Sequence, residues 1–334
     1  MTGFDEEFRS GLSRKPSEAT SRMLPSYLPE LPDGTETGKY LGLDLGGTNL
    51  RFYLVEILPN KQLKCHSEGF PVTQEAKTGT GEQLFDYIAE KLHDFLKERN
   101  LENEQLSLGY SFSFTSQQKG IRSAELLWWS KGFTSLQDVI GQDVAKLTQD
   151  AFDRKKLKVT VKAIMIDTLA TLAAGAYHYG PECLIGGVVS TGASVSYVER
   201  VERIEKFDPA ENNYKFPKMV VDAALTQFGN TPQFQALEND IDRIVDKMAL
   251  RPGNRNRMTK YISGRFLGEH VRLLLLKYAE TAKMSDSLNL SKLQEPNSFT
   301  PEYVGRFCSG DENAIACLTQ ELGLPLETSG VLRE

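Results

Sequence analysis

The chain has 334 residues, which exceeds the roughly 250 to 300 residues at which a single hydrophobic core usually stops growing, so its length predicts two lobes. Hydrophobic residues make up 40% of the chain and charged residues 25%, which excludes a collagenous, low-complexity or mostly disordered protein. The formal net charge of -6 gives no electrostatic reason to expect a nucleic-acid partner.

The N-terminal part of the chain predicts an arm followed by a hairpin. Residues 1–37 are polar and interrupted by prolines, with a short helical pattern at 4–12, so we expect an arm and not a domain. Within 40–57, one apolar run enters a turn at Gly46 and Gly47, and a second apolar run leaves it. This pattern predicts a strand, a tight turn and a second strand.

Helical and strand patterns alternate through the rest of the chain. Thr80 and Gln83 resemble a capping box, and apolar residues then recur at helical spacing as far as Leu96. Further strands are predicted at 107–114, 158–166, 184–189 and 218–221, and further helices at 142–152, 168–177, 238–249 and 261–279. The alternation predicts an α/β protein.

Location and metal content are constrained by what the sequence lacks. The acidic N-terminus has no apolar core of the kind found in signal peptides, and no stretch approaches the length needed to span a bilayer. The four cysteines and four histidines show no zinc-ligand spacing. We therefore expect a cytoplasmic protein without a membrane span or a zinc site.

The most informative stretch is 43–51, which reads LDLGGTNLR. Its two glycines permit a turn whose backbone amides face outward, Thr48 adds a hydroxyl donor, and Asp44 at the strand end can hold magnesium through water. Taken alone, a Gly-Gly dipeptide more often marks an ordinary hairpin. A Walker loop is excluded because no Gly-Lys-Ser/Thr follows, and a Rossmann fingerprint is excluded because a strand comes next. A second small-residue turn at 190–192 follows another apolar strand and is a weak signal alone.

Six segments, in this order, resemble the motifs of eukaryotic hexokinases, including fungal hexokinase-like proteins. They are Met23–Gly34 with Gly38–Arg51, Ser111–Phe114, Trp129–Phe133, Asp167–Thr168, Ser190–Gly192 and Ile262–Glu269. The resemblance covers essentially the whole chain and implies the two-lobed actin-like ATPase fold, which is ribonuclease H-like. It also implies an N-terminal arm at 1–37 that packs on the large lobe, a small lobe at 38–166 and a large lobe at 167–334.

The family transfers the γ-phosphoryl group of ATP, bound with Mg²⁺, to the 6-hydroxyl of a hexose. By this resemblance, Asp167 is the catalytic base, and Ser130, Lys131 and Gln117 contact the sugar together with it. Asp44 would hold the magnesium ion through water. The residues that match the ATP-binding turns are Asp44, Gly46, Gly47, Thr48, Asn49, Arg51, Thr191 and Gly192.

At five positions that grip the sugar in the family, this sequence has a different residue. Gln117 replaces a serine, Ile166 and Ser194 replace asparagines, and Ala224 and either Met258 or Thr259 replace glutamates. Losing two charged and about three neutral hydrogen bonds, at about 1.5 to 3 and 0.5 to 1.5 kcal/mol each, would lower glucose affinity by several orders of magnitude. The residues that could replace some of these lost hydrogen bonds are Gln117, Asp222, Gln227 and Asn230.

Two further features bear on anionic ligands. Ser190 replaces the glycine that is usual in the second turn, and its Cβ is expected to displace the backbone from the phosphates. A group of basic residues in the C-terminal half could face an anion, but we interpret it as a solvated basic face. This group consists of Arg251, Arg255, Arg257, Lys260 and Arg265.

The chain stops at Glu334, where the family's adenosine-binding segment begins, so the resemblance predicts an incomplete large lobe. An open sheet edge and uncovered helices would call for a protein partner, unless the sequence comes from a truncated gene model. The lost sugar contacts favour a non-catalytic, sugar-responsive regulatory homologue with hexose and ATP as ligands. The alternatives are an active ATP:hexose 6-phosphotransferase with altered sugar preference and an unrelated ATP-dependent role on the same fold.

Overall fold

A computed structural model describes residues 2–15, 20–133, 136–225, 228–230, 238–247, 257–281 and 290–309, with positions 316 and 320. The predictions that concern Gln227, Arg251, Arg255 and the C-terminal end of the chain lie outside these residues. Within them, no helix is both long and apolar enough to cross a bilayer.

Strands and helices alternate along the described chain, which confirms the predicted α/β class. The strands are β1 (Leu24–Pro25), β2 (Gly38–Leu45), β3 (Asn49–Leu58), β4 (Gln62–Pro71), β5 (Leu106–Phe112), β6 (Thr115–Gly120), β7 (Ser123–Trp128), β8 (Val159–Met165), β9 (Ile185–Val189), β10 (Ala193–Arg200) and β11 (Lys218–Asp222). The helices are α1 (Thr2–Leu12), α2 (Gln74–Thr78), α3 (Gly81–Lys97), α4 (Val144–Arg154), α5 (Asp167–Tyr179), α6 (Asp240–Lys247), α7 (Arg257–Ile262), α8 (Gly264–Thr281), α9 (Ser291–Gln294) and α10 (Pro301–Cys308).

The small-lobe sheet has five strands in the order β4-β3-β2-β5-β8. Strand β2 pairs antiparallel with β3 and parallel with β5, so the end of β2 lies in the middle of the sheet. Helices α3 and α4 pack together against the sheet, and the core includes the fully buried Phe52, Phe95 and Phe152. A central strand is hydrogen-bonded on both sides, which makes β2 a firm support for the turn that follows it.

The capping box predicted at Thr80 is confirmed and begins α3. The Thr80 side chain accepts a hydrogen bond from the Gln83 amide, and the Gln83 side chain accepts one from the Thr80 amide at 2.8 Å.

The replacement Thr80→Ala removes the first of these two hydrogen bonds. We therefore expect the free energy of unfolding, measured by urea denaturation, to fall by about 1 kcal/mol. Thr171→Ala, on the exposed face of α5, is the control and should change stability by less than about 0.5 kcal/mol. Equal losses in the two variants would contradict the capping role.

The large-lobe sheet has four antiparallel strands in the order β1-β11-β10-β9. Helix α5 packs on it through Leu169 and Leu172, which belong to one core cluster with Val220 of β11. Helix α1 joins the same lobe, because its Phe8 and Leu12 pack with the core residues of β11. The N-terminal residues therefore contribute to the large lobe, while the domain boundaries after residues 37 and 166 stay predictions.

Several elements differ from what the sequence predicts. Strands β4 and β10 and the hairpin of β6 and β7 are absent from the prediction. Strand β6 reads TSQQKG and has no apolar residue to reveal it. The helix predicted at 261–279 is two helices, α7 and α8, which meet at Ser263. The Ser263 hydroxyl donates to the Thr259 carbonyl at 2.6 Å, a contact that competes with the helical backbone at this break.

The prediction of a solvated basic face is wrong for Arg257 and Lys260. Arg257 is 1% exposed and donates a hydrogen bond to Glu238. Lys260 is 4% exposed, and its Nζ lies 2.7 Å from Asp246 Oδ1. The acidic partners approach from α6 and the residues just before it, which spacing along the sequence does not reveal. These two cations join α7 to α6 and to the residue Glu238 before it, and they do not face an anionic ligand, whereas Arg265 is exposed.

Candidate active site

The turn between β2 and β3 is the predicted first phosphate-binding hairpin. The Gly46 amide donates to the Asn49 carbonyl at 2.9 Å, which closes the turn and leaves the Thr48 side chain exposed at its tip. A Cβ on Gly47 would lie 2.6 Å from the Lys131 Cβ. Only glycine at this position allows the hairpin to approach the loop that carries Lys131.

Asp44 and Arg51 flank the hairpin at opposite positions of β2 and β3. Their Cα atoms are paired in register, and Arg51 Nη1 lies 3.7 Å from Asp44 Oδ2. Arg51 is exposed and Asp44 is half-buried. Arg51 therefore lies at the rim of the turn, where it partly neutralises Asp44.

Ser130 and Lys131 form a tight turn that an aromatic cluster holds in place. The rings of Trp129 and Phe133 stack with their centroids 4.8 Å apart, and the Phe133 amide donates to the Ser130 carbonyl at 3.2 Å. Lys131 has a left-handed backbone with φ of 58°, and its Nζ lies 5.0 Å from the centroid of the Phe114 ring. The cluster fixes the lysine beside the β2–β3 hairpin.

Asp167 is the first residue of α5 and follows the end of β8, as the sequence predicts. It is half-buried, and its Oδ1 accepts a hydrogen bond from the Thr168 amide at 2.9 Å. A carboxylate in the first turn of a helix is stabilised by the unpaired amides and by the helix dipole. No hydrogen bond from the residues described in the structure reaches Asp167 Oδ2, which leaves this oxygen available to accept a proton.

The pKa values of Asp44 and Lys131 are affected by each other's charge and by the charge of Asp167. Burial raises the pKa of the Asp44 carboxyl, while Arg51 and Lys131 oppose the rise and Asp167 adds to it. Lys131 as a whole residue is exposed, yet desolvation of its amine lowers its pKa against the opposing charges of Asp167 and Asp44. The structure thus brings together three residues that the sequence singles out, two from the small lobe and one from the start of α5.

A second carboxylate, Asp222, lies at the end of β11 and is 6% exposed. Ser194 Oγ donates to Asp222 Oδ1 at 2.7 Å, and Thr168 Oγ1 donates to the same oxygen at 3.4 Å. Ser196 Oγ donates to Thr168 Oγ1 at 2.7 Å, which extends the network across the sheet. Burial raises the pKa of Asp222 to about 6, its hydrogen bond from Ser194 opposes the rise, and the charge of Asp167 adds to it.

The predicted second phosphate-binding turn joins β9 to β10, with Thr191 exposed at its tip. The Ser190 amide donates to the Gly192 carbonyl at 2.8 Å, and the Ser190 carbonyl accepts from the Gly264 amide at 2.7 Å. A Cβ on Gly264 would lie 3.2 Å from the Ser190 carbonyl oxygen, so the start of α8 approaches this turn closely. Helix α8 therefore anchors the turn, and the effect of the Ser190 Cβ on phosphates stays a prediction.

Three of the five changed sugar positions, one of which is either Met258 or Thr259, pack close to α5, α7 and β11. Ile166 packs against the core residues Leu169 and Leu172 of α5, and Met258 packs with the core of β11. Thr259 is 3% exposed within α7, and Ala224 has a left-handed backbone with φ of 51°. These positions offer neither a carboxylate nor an amide side chain to a sugar.

Gln117 and Asn230 are two of the residues considered as replacements for the lost sugar contacts. Neither belongs to the described hydrogen-bond network around Asp222. Gln117 is exposed on β6 and lies opposite Glu125 of β7. In the part of the chain that the structure describes, no hydrogen bond or ion pair joins it to Asp167, and its contact with sugar stays a prediction. The side-chain oxygen of Asn230 accepts from the Arg257 amide at 3.3 Å, so this amide already has a structural contact.

The oxygen groups of the site suit magnesium, which prefers carboxylates, waters and phosphate oxygens. Among the described residues, no group of three or more His, Cys, Asp or Glu side chains could hold a metal ion. The donor set fits an ion carried mainly by substrate phosphates and water. Asp44, half-buried beside the exposed hairpin, is the residue that would hold such an ion through water.

Two family models, both described as hexokinase, match residues 1–177 and 184–330. The chain is 36% identical to the hexokinase of Brugia malayi over 325 residues, which cover 97% of this chain and 56% of that protein. It is 35% identical to the hexokinase of Schistosoma mansoni over 301 residues, which cover 90% of this chain and 65% of that protein. The chain therefore spans less than two thirds of the length of these relatives.

The fold is similar to solved hexokinase structures. The hexokinase from Schistosoma mansoni complexed with glucose matches with a TM-score of 0.82 and 32% identity, covering 98% of this chain and 74% of that one. A second hexokinase crystal structure matches with a TM-score of 0.77 and 27% identity, covering 99% and 73%. These matches confirm the predicted two-lobed actin-like ATPase fold. Together with the family models and the relatives, they show that the chain belongs to the hexokinase family.

Proposed function

We propose that this chain binds a hexose between its lobes, transfers phosphate to it poorly, and acts as a sugar-responsive regulatory homologue of the hexokinases. The observation that carries the proposal is the set of side chains around the candidate sugar site. Ile166 and Ala224 have no polar side-chain group, and Ser194 gives its hydroxyl to Asp222. A sugar held here would keep few ligands on the large-lobe side.

The expected loss of sugar affinity follows from the number of lost hydrogen bonds. A typical neutral hydrogen bond contributes about 0.5 to 1.5 kcal/mol and a charged one about 1.5 to 3 kcal/mol. Five lost contacts would therefore lower the affinity by several orders of magnitude, since every 1.4 kcal/mol or so is tenfold. Such a site would respond only to high concentrations of sugar, as a sensor of abundant sugar would.

The retained residues define how any remaining phosphate transfer would proceed. Asp167 would accept the proton of the 6-hydroxyl on its Oδ2, and Lys131 would orient that hydroxyl. ATP with magnesium, when bound, supplies the phosphoryl group and the positive charge that offsets the phosphates. Asp44 and the backbone amides at 46–48 would hold the phosphate end of the nucleotide.

A second candidate function is an active ATP:hexose 6-phosphotransferase with an altered sugar preference. The observation that favours it is the convergence of Asp44, Lys131 and Asp167, whose charges influence one another across the two lobes. Under this alternative, Asp222 would replace some of the lost sugar contacts, because it lies near enough to Asp167 for that charge to raise its pKa.

A protein partner and a cytoplasmic location are further parts of the proposal. Among the strands that the structure describes, β9 lies at the edge of the large-lobe sheet, and three apolar residues on or next to it are mostly exposed. Leu184 is 63% exposed, Ile185 65% and Val189 67%. An apolar sheet edge of this kind promotes association, so a partner that covers β9 would stabilise the large lobe.

Calorimetry with glucose and with Mg-ATP, followed by a coupled kinase assay, separates the two candidates. The regulatory proposal expects weak but saturable glucose binding, a rise of Tm with glucose, and turnover that is at most slightly above that of the Asp167→Ala variant. Clear turnover that Asp167→Ala abolishes would overturn it in favour of the enzyme. Absence of glucose binding to a folded protein would overturn both sugar-binding proposals.

A further inference from the structure

A groove of about 970 Å³ lies between the two lobes, away from the candidate active site. We call it the lobe-edge groove, and its defining residues are Lys119, Arg122, Lys146, Tyr27, Tyr214 and Phe216. Its lining also includes Thr160 and Val161 at the N-terminal end of β8, whereas Asp167 follows the C-terminal end of that strand. Its volume is within the range of small-molecule sites, about 300 to 1,000 Å³.

The small-lobe wall of the groove carries positive charge. Lys119 Nζ lies 3.6 Å from Glu125, and Lys146 Nζ lies 2.5 Å from Asp150, so two of the cations already have acidic partners. Arg122, on the turn between β6 and β7, is exposed and has no ion pair among the residues that the structure describes. The uncompensated charge of this wall is therefore the guanidinium of Arg122.

The side chains that line the opposite wall are uncharged, and three of them are aromatic. The rings of Tyr27 and Tyr214 have centroids 6.5 Å apart, and those of Tyr214 and Phe216 are 5.5 Å apart. Two hydrogen bonds fix the tyrosines, because Tyr27 Oη donates to Asn212 Oδ1 at 2.8 Å and Tyr214 Oη donates to the Lys218 carbonyl at 2.7 Å. Phe216 is 45% exposed, so its ring is open to a partner within the groove.

We propose that the lobe-edge groove binds a small aromatic anion, a planar ring that carries a phosphate, phosphonate or carboxylate group. The ring packs on Phe216 and Tyr214, where offset or edge-to-face contacts between aromatic groups are favourable. The anion pairs with Arg122, whose planar guanidinium donates two parallel hydrogen bonds to such a group. Because the two walls belong to different lobes, the ligand contacts both lobes at once.

The test uses phenylphosphonate as the probe, titrated into the full chain by calorimetry. We expect one saturable site, with inorganic phosphate and phenol each binding at least about tenfold more weakly, since each supplies only one of the two contacts. Arg122→Gln and Phe216→Ala should each lower the affinity by about tenfold or more. Both residues are exposed, so neither change should disturb the fold.

Two surface substitutions are matched controls. Lys64→Ala removes an exposed cation on β4, at the opposite edge of the small-lobe sheet, and Tyr179→Ala removes a ring that is 75% exposed. Neither should alter phenylphosphonate binding. The proposal is overturned if no saturable binding is seen, if phosphate binds as tightly as the probe, or if Thr48→Ala abolishes binding while Arg122→Gln does not. That last pattern would place the probe at the phosphate-binding hairpin.

Discussion

Replacing Arg257 with methionine is expected to lower the free energy of unfolding by about 3 to 5 kcal/mol, because a buried carboxylate is left without its cation. The Arg257 side chain is 1% exposed and that of its partner Glu238 is 10% exposed. The guanidinium donates to Glu238 and also to the Gly229 carbonyl. Methionine keeps much of the volume but donates no hydrogen bond, so both acceptors lose a partner.

The controls for this prediction separate burial from charge. Arg243 is 62% exposed and pairs with Asp240 at 2.6 Å, so Arg243→Met should cost less than about 1 kcal/mol. The double variant Arg257→Met with Glu238→Met removes both buried charges and should recover most of the lost stability. Urea denaturation followed by circular dichroism measures all three. If Arg257→Met alone lowers the free energy of unfolding by less than about 1 kcal/mol, Glu238 does not need its buried cation and the prediction is wrong.

The buried pair also connects the stability of α7 to the segment that follows Asp222. The Arg257 amide donates to Asn230 Oδ1 at 3.3 Å, and Gly229 and Asn230 follow the segment that begins with Asp222. At the other end of this helical region, the Gly264 amide donates to the Ser190 carbonyl of the second turn. Weakening α7 is therefore expected to loosen both the segment that follows Asp222 and the second turn.

Local patterns explain what the sequence predicts well. The β2–β3 hairpin, the capping box at Thr80 and the placement of Asp167 after β8 each depend on residues that lie within a few positions of one another. Short-range spacing is enough to predict such features, because the turn or cap is formed by the same residues that carry the pattern. The close approach of Gly47 to Lys131 depends on a distant loop, and the sequence does not reveal it.

Long-range contacts explain what the sequence does not predict. The hydrogen bonds of Asp222 come from Thr168 on α5 and Ser194 on β10, so the raised pKa follows from tertiary structure. The only sequence signal is a short apolar run that ends in this carboxylate. Arg257 and Lys260 look solvated by composition alone, and only their approach to α6 makes them buried ion pairs.

The replacement Asp222→Asn is expected to stabilise the protein at neutral pH by about 2 to 3 kcal/mol. Burial raises the pKa of Asp222 from 3.8 in the unfolded chain to about 6 in the folded one. A tenfold change in an acid dissociation constant corresponds to about 1.4 kcal/mol, so keeping this carboxylate ionised at pH 7 destabilises the folded state by an amount of that order. Asparagine is uncharged, and its carbonyl oxygen can still accept the hydrogen bond from Ser194.

The stabilisation expected for Asp222→Asn depends on pH, because Asp222 titrates at a higher pH in the folded protein than in the unfolded chain. Between about pH 4 and pH 6, the folded protein binds the Asp222 proton more tightly than the unfolded chain does. The contribution of Asp222 to stability is therefore present below pH 4 and is lost as the pH rises towards 6. Asp222→Asn has no such loss, so its advantage over the wild type should be near zero at pH 4 and reach its full size by pH 7.

Urea denaturation at pH 4, 5, 6 and 7 measures the difference between the two proteins. Asp94→Asn is the control, because Asp94 lies on the surface of α3 with a side chain that is 47% exposed, and its effect should stay within about 0.5 kcal/mol at every pH. An advantage of Asp222→Asn that is equally large at pH 4 would mean that packing, and not ionisation, sets its effect. A loss of stability at pH 7 would mean that the charge of Asp222 is needed by Thr168 and Ser194, and that the network tolerates the ionised carboxylate better than its burial indicates.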